Sequence, residues 1–328
     1  MSLEILKAGV LDTVQDAGRP GYRKWGIGPG GVMDHYASHV ANALVGNAAH
    51  AALLEMHFPA PHIFFHRDAI VSLTGAEMVP TLQGSEVPLW KPLIVKAGNT
   101  LTFQRRNKGA RCYLAIRGGV ALAPWMGSHS TNLKVNAGGF QGRALRKGDV
   151  IPMHDDTFPK GITGAFKVLP WSVNHTAAYG PGDEIFFTPG HEWNWLSERS
   201  RRDVVTQSFV IESSSDRMAY HVGHSALIFR KKQELLSSAV CAGTIQALPG
   251  GNLLILMADH QTTGGYPRIG HVATAHLPRL AQLNASDRFR LKKISVEESE
   301  KMLLSLGRDL RDIHAACCKK LEDYEAIH

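Results

Sequence analysis

Three things are scarce in this chain, and each scarcity removes a class of protein. Cysteine is the first: Cys112, Cys241 and the adjacent Cys317 and Cys318 are the four present in 328 residues, with no C-x-x-C spacing. Neither a disulfide framework nor a thiolate zinc site is expected, and a reducing cytoplasm suits such a chain. Long apolar runs are the second. Although 44% of residues are hydrophobic, runs end after a few positions, far short of the roughly 20 needed to cross a bilayer. Glu4 and Lys7 interrupt the opening residues, so no export signal is expected and the expected location is cytoplasmic. The third is concentrated charge. A formal charge of +7 is dispersed over short groups such as Arg105-Arg106, Arg201-Arg202 and Lys292-Lys293. Without a basic stripe or interleaved aromatics, this argues against nucleic acid and leaves an anionic small ligand or an acidic protein partner.

Several catalytic signatures are missing too. No G-x-x-x-x-G-K-[ST] or G-x-S-x-G sequence occurs, and His191-Glu192-Trp193 does not continue into H-E-x-x-H. A Walker loop, a hydrolase elbow and a zinc site are therefore not expected, and no metal ligands are assigned. Gly26-Ile27-Gly28-Pro29-Gly30-Gly31 matches G-x-G-x-x-G only formally, because Pro29 breaks the turn and no convincing strand precedes it.

What is there reads as mainly β with a few helices. A chain of this size can bury about 75% of its unfolded surface, and two domains are the better prior. Short β-type runs at 69–73, 93–95, 100–103, 112–116 and 253–257 are separated by Gly, Pro and Asn/Asp turns, a texture of closed or sandwiched sheets. One small pattern recurs: Gly98-Asn99-Thr100-Leu101, Gly148-Asp149-Val150-Ile151, Gly182-Asp183-Glu184-Ile185 and Ser286-Asp287-Arg288-Phe289. Each reads as a turn feeding a strand, and their presence in both halves hints at tandem β-barrel units. Two helices stand out. Asp34 caps one whose Ala37, Val40, Ala41, Leu44 and Val45 form an apolar stripe ended by Gly46-Asn47; the other covers 296–324, with Leu303, Leu306, Leu310, Ile313, Cys317, Leu321 and Tyr324 on one face. Residues 153–163 lack periodicity. The expected division is an N-terminal β-barrel over 1–160, a C-terminal β-barrel over 161–295 and a packing helix over 296–328.

Chemistry is expected at the junction after the buried strand at 253–258. There Gln261-Thr262-Thr263-Gly264-Gly265-Tyr266-Pro267-Arg268 crowds an amide, two hydroxyls, two side-chain-free glycines, a phenol and a guanidinium into one turn, so many donors can face a closely approaching ligand. A tight turn whose hydroxyls cap backbone groups accounts equally for the composition.

Three segments are jointly unusual: Thr13-Val14-Gln15-Asp16-Ala17-Gly18-Arg19-Pro20-Gly21-Tyr22 continuing to Asn47, Ser215-Asp216-Arg217-Met218-Ala219-Tyr220, and the Gln-Thr-Thr-Gly-Gly-Tyr-Pro loop preceded by Pro249-Gly250-Gly251. With Leu73-Thr74-Gly75-Ala76 and Gly127-Ser128-His129-Ser130-Thr131 in the same order, the chain closely resembles the KipA family. That family comprises the C subunit of bacterial ATP-dependent 5-oxoprolinase, also labelled allophanate hydrolase subunit 2 or biotin-dependent carboxyltransferase-like. The resemblance implies two cyclophilin-like β-barrel subdomains and activity shared with KipI-like B and LamB/YcsF-like A subunits. ATP is the implied co-substrate, accompanied by Mg²⁺ held by phosphates and water. Two related roles remain open: a biotin-dependent carboxyltransferase of the urea carboxylase type, with biotin carried on another chain because no Met-Lys-Met sequence occurs here, and a non-catalytic antagonist of a KipI-type kinase inhibitor. Two departures stand out. Pro29-Gly30-Gly31-Val32-Met33-Asp34 replaces Pro-Ser-Gly-Ala-Met-Asp, and Ala258-Asp259-His260-Gln261 replaces Ala-Asp-Arg-Gln.

Under this resemblance, Thr262, Thr263 and the Gly264-Gly265 backbone are expected to cradle an anionic group that Arg217 and Arg19 neutralise. Gln261 and Tyr266 orient the substrate amide, and Asp34 is the candidate carboxylate for proton handling. Capping explains Asp34 equally well, and Arg217 equally suits a structural ion pair with Asp216 or another neighbour.

Overall fold

The computed structural model describes residues 2–154, 164–230 and 235–327. The chain divides into two compact units. One contains residues 1–19, 34–175 and 308–328; the other contains 20–33 and 176–307. Most of the aperiodic stretch 153–163, where the domain boundary is expected, lies outside the described residues. The two units meet in sequence at 175–176, and a short early segment belongs to the second.

The first unit is built on strands β1 (Ser2–Lys7), β2 (Thr13–Gln15), β3 (Leu53–His57), β4 (His62–Phe65), β5 (Ala69–Leu82), β6 (Ser85–Glu86), β7 (Pro92–Val95), β8 (Thr100–Ile116), β9 (Val150–Pro152) and β10 (Phe166–Val168). They form one ten-stranded half-barrel sheet with the path β10-β7-β5-β8-β4-β1-β9, while β3 joins β2 to β8. The long strands β5 and β8 carry the sheet, and the register slips at Gly75, Glu77 and Met78 bend them. Helix α1 (His35–Leu44) starts where expected: the Asp34 carboxylate accepts from the Ala37 amide at 2.9 Å, and Gly46 takes the left-handed conformation at its end. Ser72 and Thr74 on β5 donate to the Ala41 and Ala37 carbonyls of that helix at 2.6 and 2.7 Å. Their hydroxyls fix α1 to the sheet.

The second unit begins with α2 (Thr176–Tyr179) and carries β11 (Glu184–Pro189), α3 (Glu198–Thr206), β12 (Ser208–Ile211), β13 (Ala219–Gly223), β14 (Ser238–Ala239), β15 (Thr244–Ala247), β16 (Leu253–Leu256), β17 (Thr263–Gly264), β18 (Arg268–Val272), α4 (Leu277–Ala281) and β19 (Arg288–Lys293). Seven of these strands close into a barrel, β11-β18-β15-β16-β13-β12-β19, sealed by the parallel pair β11 and β19. Phe187, Phe209, Ile245, Ile255, Ile269 and Phe289 fill it. Because side chains alternate across a strand, Thr244 and Gln246 point to the opposite face from Ile245 and Ala247. The short pair β14 and β17 forms a separate two-stranded sheet.

All four recurring turns do feed strands: β8, β9, β11 and β19. Gly98, Gly148, Gly182 and Ser286 each have positive φ, between 73° and 88°, which is why a small residue opens the pattern. Helix α5 (Val296–Ile327) ends the chain. Its expected stripe is buried only toward its end, at Cys317 and Leu321, whereas Leu303 is 44% exposed. Among the described residues, no helix is long and apolar enough to cross a membrane.

Asp16 wires two distant family segments together in the first unit. Its carboxylate accepts from the Ser128 hydroxyl at 2.7 Å, the Ser130 hydroxyl at 2.5 Å, the His129 amide at 2.6 Å and the Gly18 amide at 2.8 Å. Replacing Asp16 with Ala strands those donors, at roughly 1 kcal/mol or more apiece. Asp16→Ala is expected to lower the melting temperature of the first unit by about 5–10 °C, read from tryptophan fluorescence; an unchanged transition would show the wiring to be idle.

Candidate functional site

The donor-rich turn is held at both ends by ion pairs between arginine and carboxylate. At its start, Arg217 donates through Nε to Asp259 at 2.8 Å and through a terminal nitrogen to the other Asp259 oxygen at 3.2 Å, while the same nitrogen reaches the Gly31 carbonyl at 2.5 Å. The Asp259 amide returns a bond to the Arg217 carbonyl at 2.8 Å. Asp216 does not pair with Arg217 but closes a local turn, accepting from the Met218 and Ala219 amides. At the far end, Arg268 donates to Glu192 from its backbone amide at 2.9 Å, from Nε at 3.1 Å and from a terminal nitrogen at 3.0 Å. Glu192 is fully buried. Burial pushes its carboxyl up, but the bonds from Arg268 outweigh this and hold it below its usual 4.5.

Between these fastenings, Thr263 and Gly264 pair with Ala239 and Ser238, and the Thr262 carbonyl accepts from the Val240 amide at 3.2 Å. Gln261 donates to the Gln246 side-chain oxygen at 3.4 Å. Gly264 packs closely on that amide: a Cβ there would lie 2.6 Å from Gln246 Nε2, so the Gln246 side chain would have to shift. Thr263 and Tyr266 are exposed, while Gln261, Thr262 and Gly265 are half-buried. The turn therefore presents hydroxyls and backbone groups outward over a polar floor.

That floor is the outward face of β15 and its partner β18. Thr244 lies directly across from His271. The Thr244 hydroxyl is 3.3 Å from His271 Nδ1, and the Cys241 thiol is 3.5 Å from that hydroxyl and 3.9 Å from the same imidazole nitrogen. The His271 contact, with help from Thr244 and the positive charge of Arg23, holds the Cys241 thiol below its usual range against the opposing effect of burial. The remaining cysteines behave oppositely: burial pushes Cys112 to about 12 and Cys317 to about 11.

His260 is 1% exposed. Its Nδ1 lies 2.6 Å from the Gln261 carbonyl, which can only accept, so Nδ1 carries the proton and Nε2 keeps a lone pair. Burial, and after it the charge on Arg23, keeps this imidazole neutral.

The expected site residues thus fall into two groups. Arg217, Gln261, Thr262, Thr263, Gly264, Gly265 and Tyr266 belong to the second unit; Arg19 and Asp34 belong to the first. Asp34 is fully buried as the cap of α1, and its amide donates to the Tyr113 oxygen at 2.8 Å. Arg19 is 1% exposed, bonded to the Ser130 carbonyl and stacked on Trp125 with 4.7 Å to the ring centre. Arg217 directs two nitrogens into the protein, so its visible work is fastening the turn. Sequence reasoning passed over Glu192, Gln246, Cys241, Thr244 and His271. The available signal was the strand 244–247, where Thr and Gln alternate with Ile and Ala although both faces are buried. Among the described residues, no group of three or more His, Cys, Asp or Glu could hold a metal ion.

Two outcomes follow from this geometry. Glu192→Gln should cost about 2 kcal/mol at pH 7, because it leaves the Arg268 charge poorly matched. A carboxylate with a depressed folded pKa stabilises fully above its unfolded value and loses that contribution as pH falls through the folded one; the deficit, measured by urea unfolding, should therefore shrink below pH 4.5. In limited alkylation near neutral pH, peptide mass spectrometry should find Cys241 modified before Cys112, Cys317 and Cys318, and His271→Ala should slow that labelling. Preferential labelling of another cysteine would contradict the assignment.

Comparison with known proteins places this architecture. A family model described as "Carboxyltransferase domain, subdomain A and B" matches residues 25–293. The chain is 36% identical over 299 residues to the C subunit of 5-oxoprolinase from Escherichia coli strain K12, covering 91% of this chain and 93% of that protein. It is 27% identical to urea amidolyase of Saccharomyces cerevisiae, covering 99% of this chain but 18% of that much longer protein. The crystal structure of the K. lactis urea amidolyase superposes with a TM-score of 0.85 at 24% identity, over 95% of this chain and 20% of that one, a likeness of fold. With the model spanning most of its length and a relative matched nearly end to end, the chain belongs to the family of carboxyltransferase domains with subdomains A and B.

Proposed function

We propose that this chain is the C subunit of an ATP-dependent 5-oxoprolinase, active only in complex with KipI-like B and LamB/YcsF-like A subunits. The observation that carries the proposal is the 36% identity to the C subunit of a 5-oxoprolinase, which extends over nearly the full length of both proteins. The site chemistry supports it. Lactam opening at neutral pH needs an activated carbonyl, and ATP supplies the activation: its γ-phosphoryl group passes to the lactam oxygen, and water adds to the carbon. The ring C–N bond then opens with a proton to nitrogen, leaving ADP and a γ-glutamyl phosphate, and a second water cleaves that acyl phosphate to glutamate and phosphate. Such a sequence asks for preorganised donors where charge develops. The Thr262 and Thr263 hydroxyls and the Gly264-Gly265 backbone offer them, on a turn that two ion pairs keep from collapsing. Gln261 and Tyr266 orient the amide. Mg²⁺ arrives with ATP, held by phosphates and water.

The family's name and the fungal urea amidolyases favour a second reading, a carboxyltransferase that receives carboxybiotin from another chain. One assay separates the two. With all three subunits present, 5-oxoproline should stimulate ATP hydrolysis and glutamate should form; omission of this chain should abolish both. Thr263→Val, which removes an exposed hydroxyl without disturbing the strand pair, should lower kcat/KM at least about tenfold. Turnover of carboxybiotin with urea, in the absence of any 5-oxoproline-dependent hydrolysis, would decide for the carboxyltransferase.

A further inference from the structure

Basic groups that lie far apart in the sequence meet on one face of the second unit. Helix α3 packs on β19, which sets Arg201-Arg202 beside Lys292-Lys293. Residues 198–206 and 288–293 hold seven cations against two acids, a net +5 of the chain's +7. Along the join of the two elements runs a trough made of two cavities of about 330 Å³ each, which meet at Val205 and Lys293. Arg202, Arg290, Lys292 and Lys293 line it with their side chains exposed. Neighbouring acids neutralise part of this charge: Asp183 pairs with Arg290 at 2.8 Å and Glu184 with Lys292 at 3.1 Å. Arg201 bonds to the Asn194 amide oxygen at 2.9 Å, with Glu198 3.9 Å away. Among the described residues, the Arg202 and Lys293 side chains have no ion pair or hydrogen bond. Val205, 38% exposed, puts an apolar spot between them, and Trp193 forms part of the wall.

We propose that the trough between α3 and β19 docks an acidic segment of a partner subunit, with carboxylates against Arg202 and Lys293 and an apolar side chain against Val205. The inference rests on the function proposed above, from which it takes the subunits that supply the partner. Charge selects the occupant. A second copy of this chain is the wrong partner, because each copy carries +7 and brings like charge to the face. Nucleic acid presents an unbroken row of phosphates, whereas Glu184 and Glu198 interrupt this lining. Trp193, 9% exposed, is too buried to stack on a base. Cations around an apolar centre instead suit a protein segment that mixes carboxylates with an apolar residue. Exposed charges each add little affinity, but a field of one sign speeds the encounter with a partner of the other sign. The role assigned to this face is therefore to steer and register the partner; it shares no lining residue with the donor-rich turn.

The test measures how fast the full-length chain associates with the immobilised B and A subunits, at about 0.1 M and about 1 M salt, where the Debye length falls from about 10 Å to about 3 Å. Arg202→Glu combined with Lys293→Glu should slow association with one of the two subunits at least about tenfold at the lower salt, and should approach the wild-type rate at the higher. The milder pair, Arg202→Gln with Lys293→Gln, should give an intermediate slowing and a melting temperature unchanged from wild type. Arg105→Glu with Arg106→Glu, an equal change of net charge on exposed residues of the first unit, should leave the rate within about twofold. Equal slowing by this control pair, or rates within twofold of wild type for both trough pairs, overturns the docking face and leaves the subunit assignment standing. Tight binding of a fluorescein-labelled single-stranded oligonucleotide that the trough pairs abolish gives the face to nucleic acid and overturns the protein partner. Failure of the wild-type chain to bind either subunit overturns the functional proposal and the docking face together.

Discussion

Two arginine–carboxylate pairs decide what the second unit can do. A turn rich in Gly and Thr has little apolar surface and high conformational freedom, so left alone it would sample many states. Arg217 with Asp259 and Arg268 with Glu192 remove that freedom at both ends. Each pair is partly or wholly buried and hydrogen-bonded beyond the charge contact, the condition under which a buried pair is worth its desolvation. The anchors lie outside the intervening backbone, which pairs with Ser238 and Ala239 instead. Arginine serves here through its fork: one guanidinium spans both oxygens of a carboxylate and still reaches a carbonyl, as Arg217 does with Gly31.

The floor beneath the turn follows from the barrel. Closing seven strands around Phe187, Phe209 and Phe289 commits one face of each strand to the apolar interior, and alternation then fixes the other face. On β15 that outer face carries Thr244 and Gln246, and cross-strand register sets His271 opposite Thr244 and Arg268 opposite Gln246. A polar row next to a donor-rich turn is thus a consequence of strand period and register. Cys241 sits at the end of this row. Its thiol differs from the other three because an imidazole and a hydroxyl lie within reach, while at Cys112 burial outweighs the backbone hydrogen bonds at Tyr113 and Thr74.

Much of this was legible in the sequence, for identifiable reasons. The turn pattern of a small residue followed by Asn or Asp located four strand starts because positive φ is a local demand met by local residues. Asp34 and Gly46 marked the ends of α1 for the same reason. The donor-rich turn was visible in composition alone. What stayed hidden was non-local: that Arg217 pairs with Asp259, 42 residues away, and Arg268 with Glu192, 76 residues away. Composition weighs Arg217 as a ligand group and as a structural one alike; only the fold shows where its nitrogens go. The segment 20–33 joins the second unit although it precedes α1 of the first, which no linear boundary can express.

The position before Gln261 shows how such a frame is tuned. His260 stands there in a buried setting that keeps it neutral, where an Arg would be a fixed cation with donors only. An imidazole at this place carries no positive charge and can accept as well as donate. Asp259 is unaffected, since its partner is Arg217. The polarity offered at this position is therefore set by burial, without altering the two ion pairs that hold the turn in place.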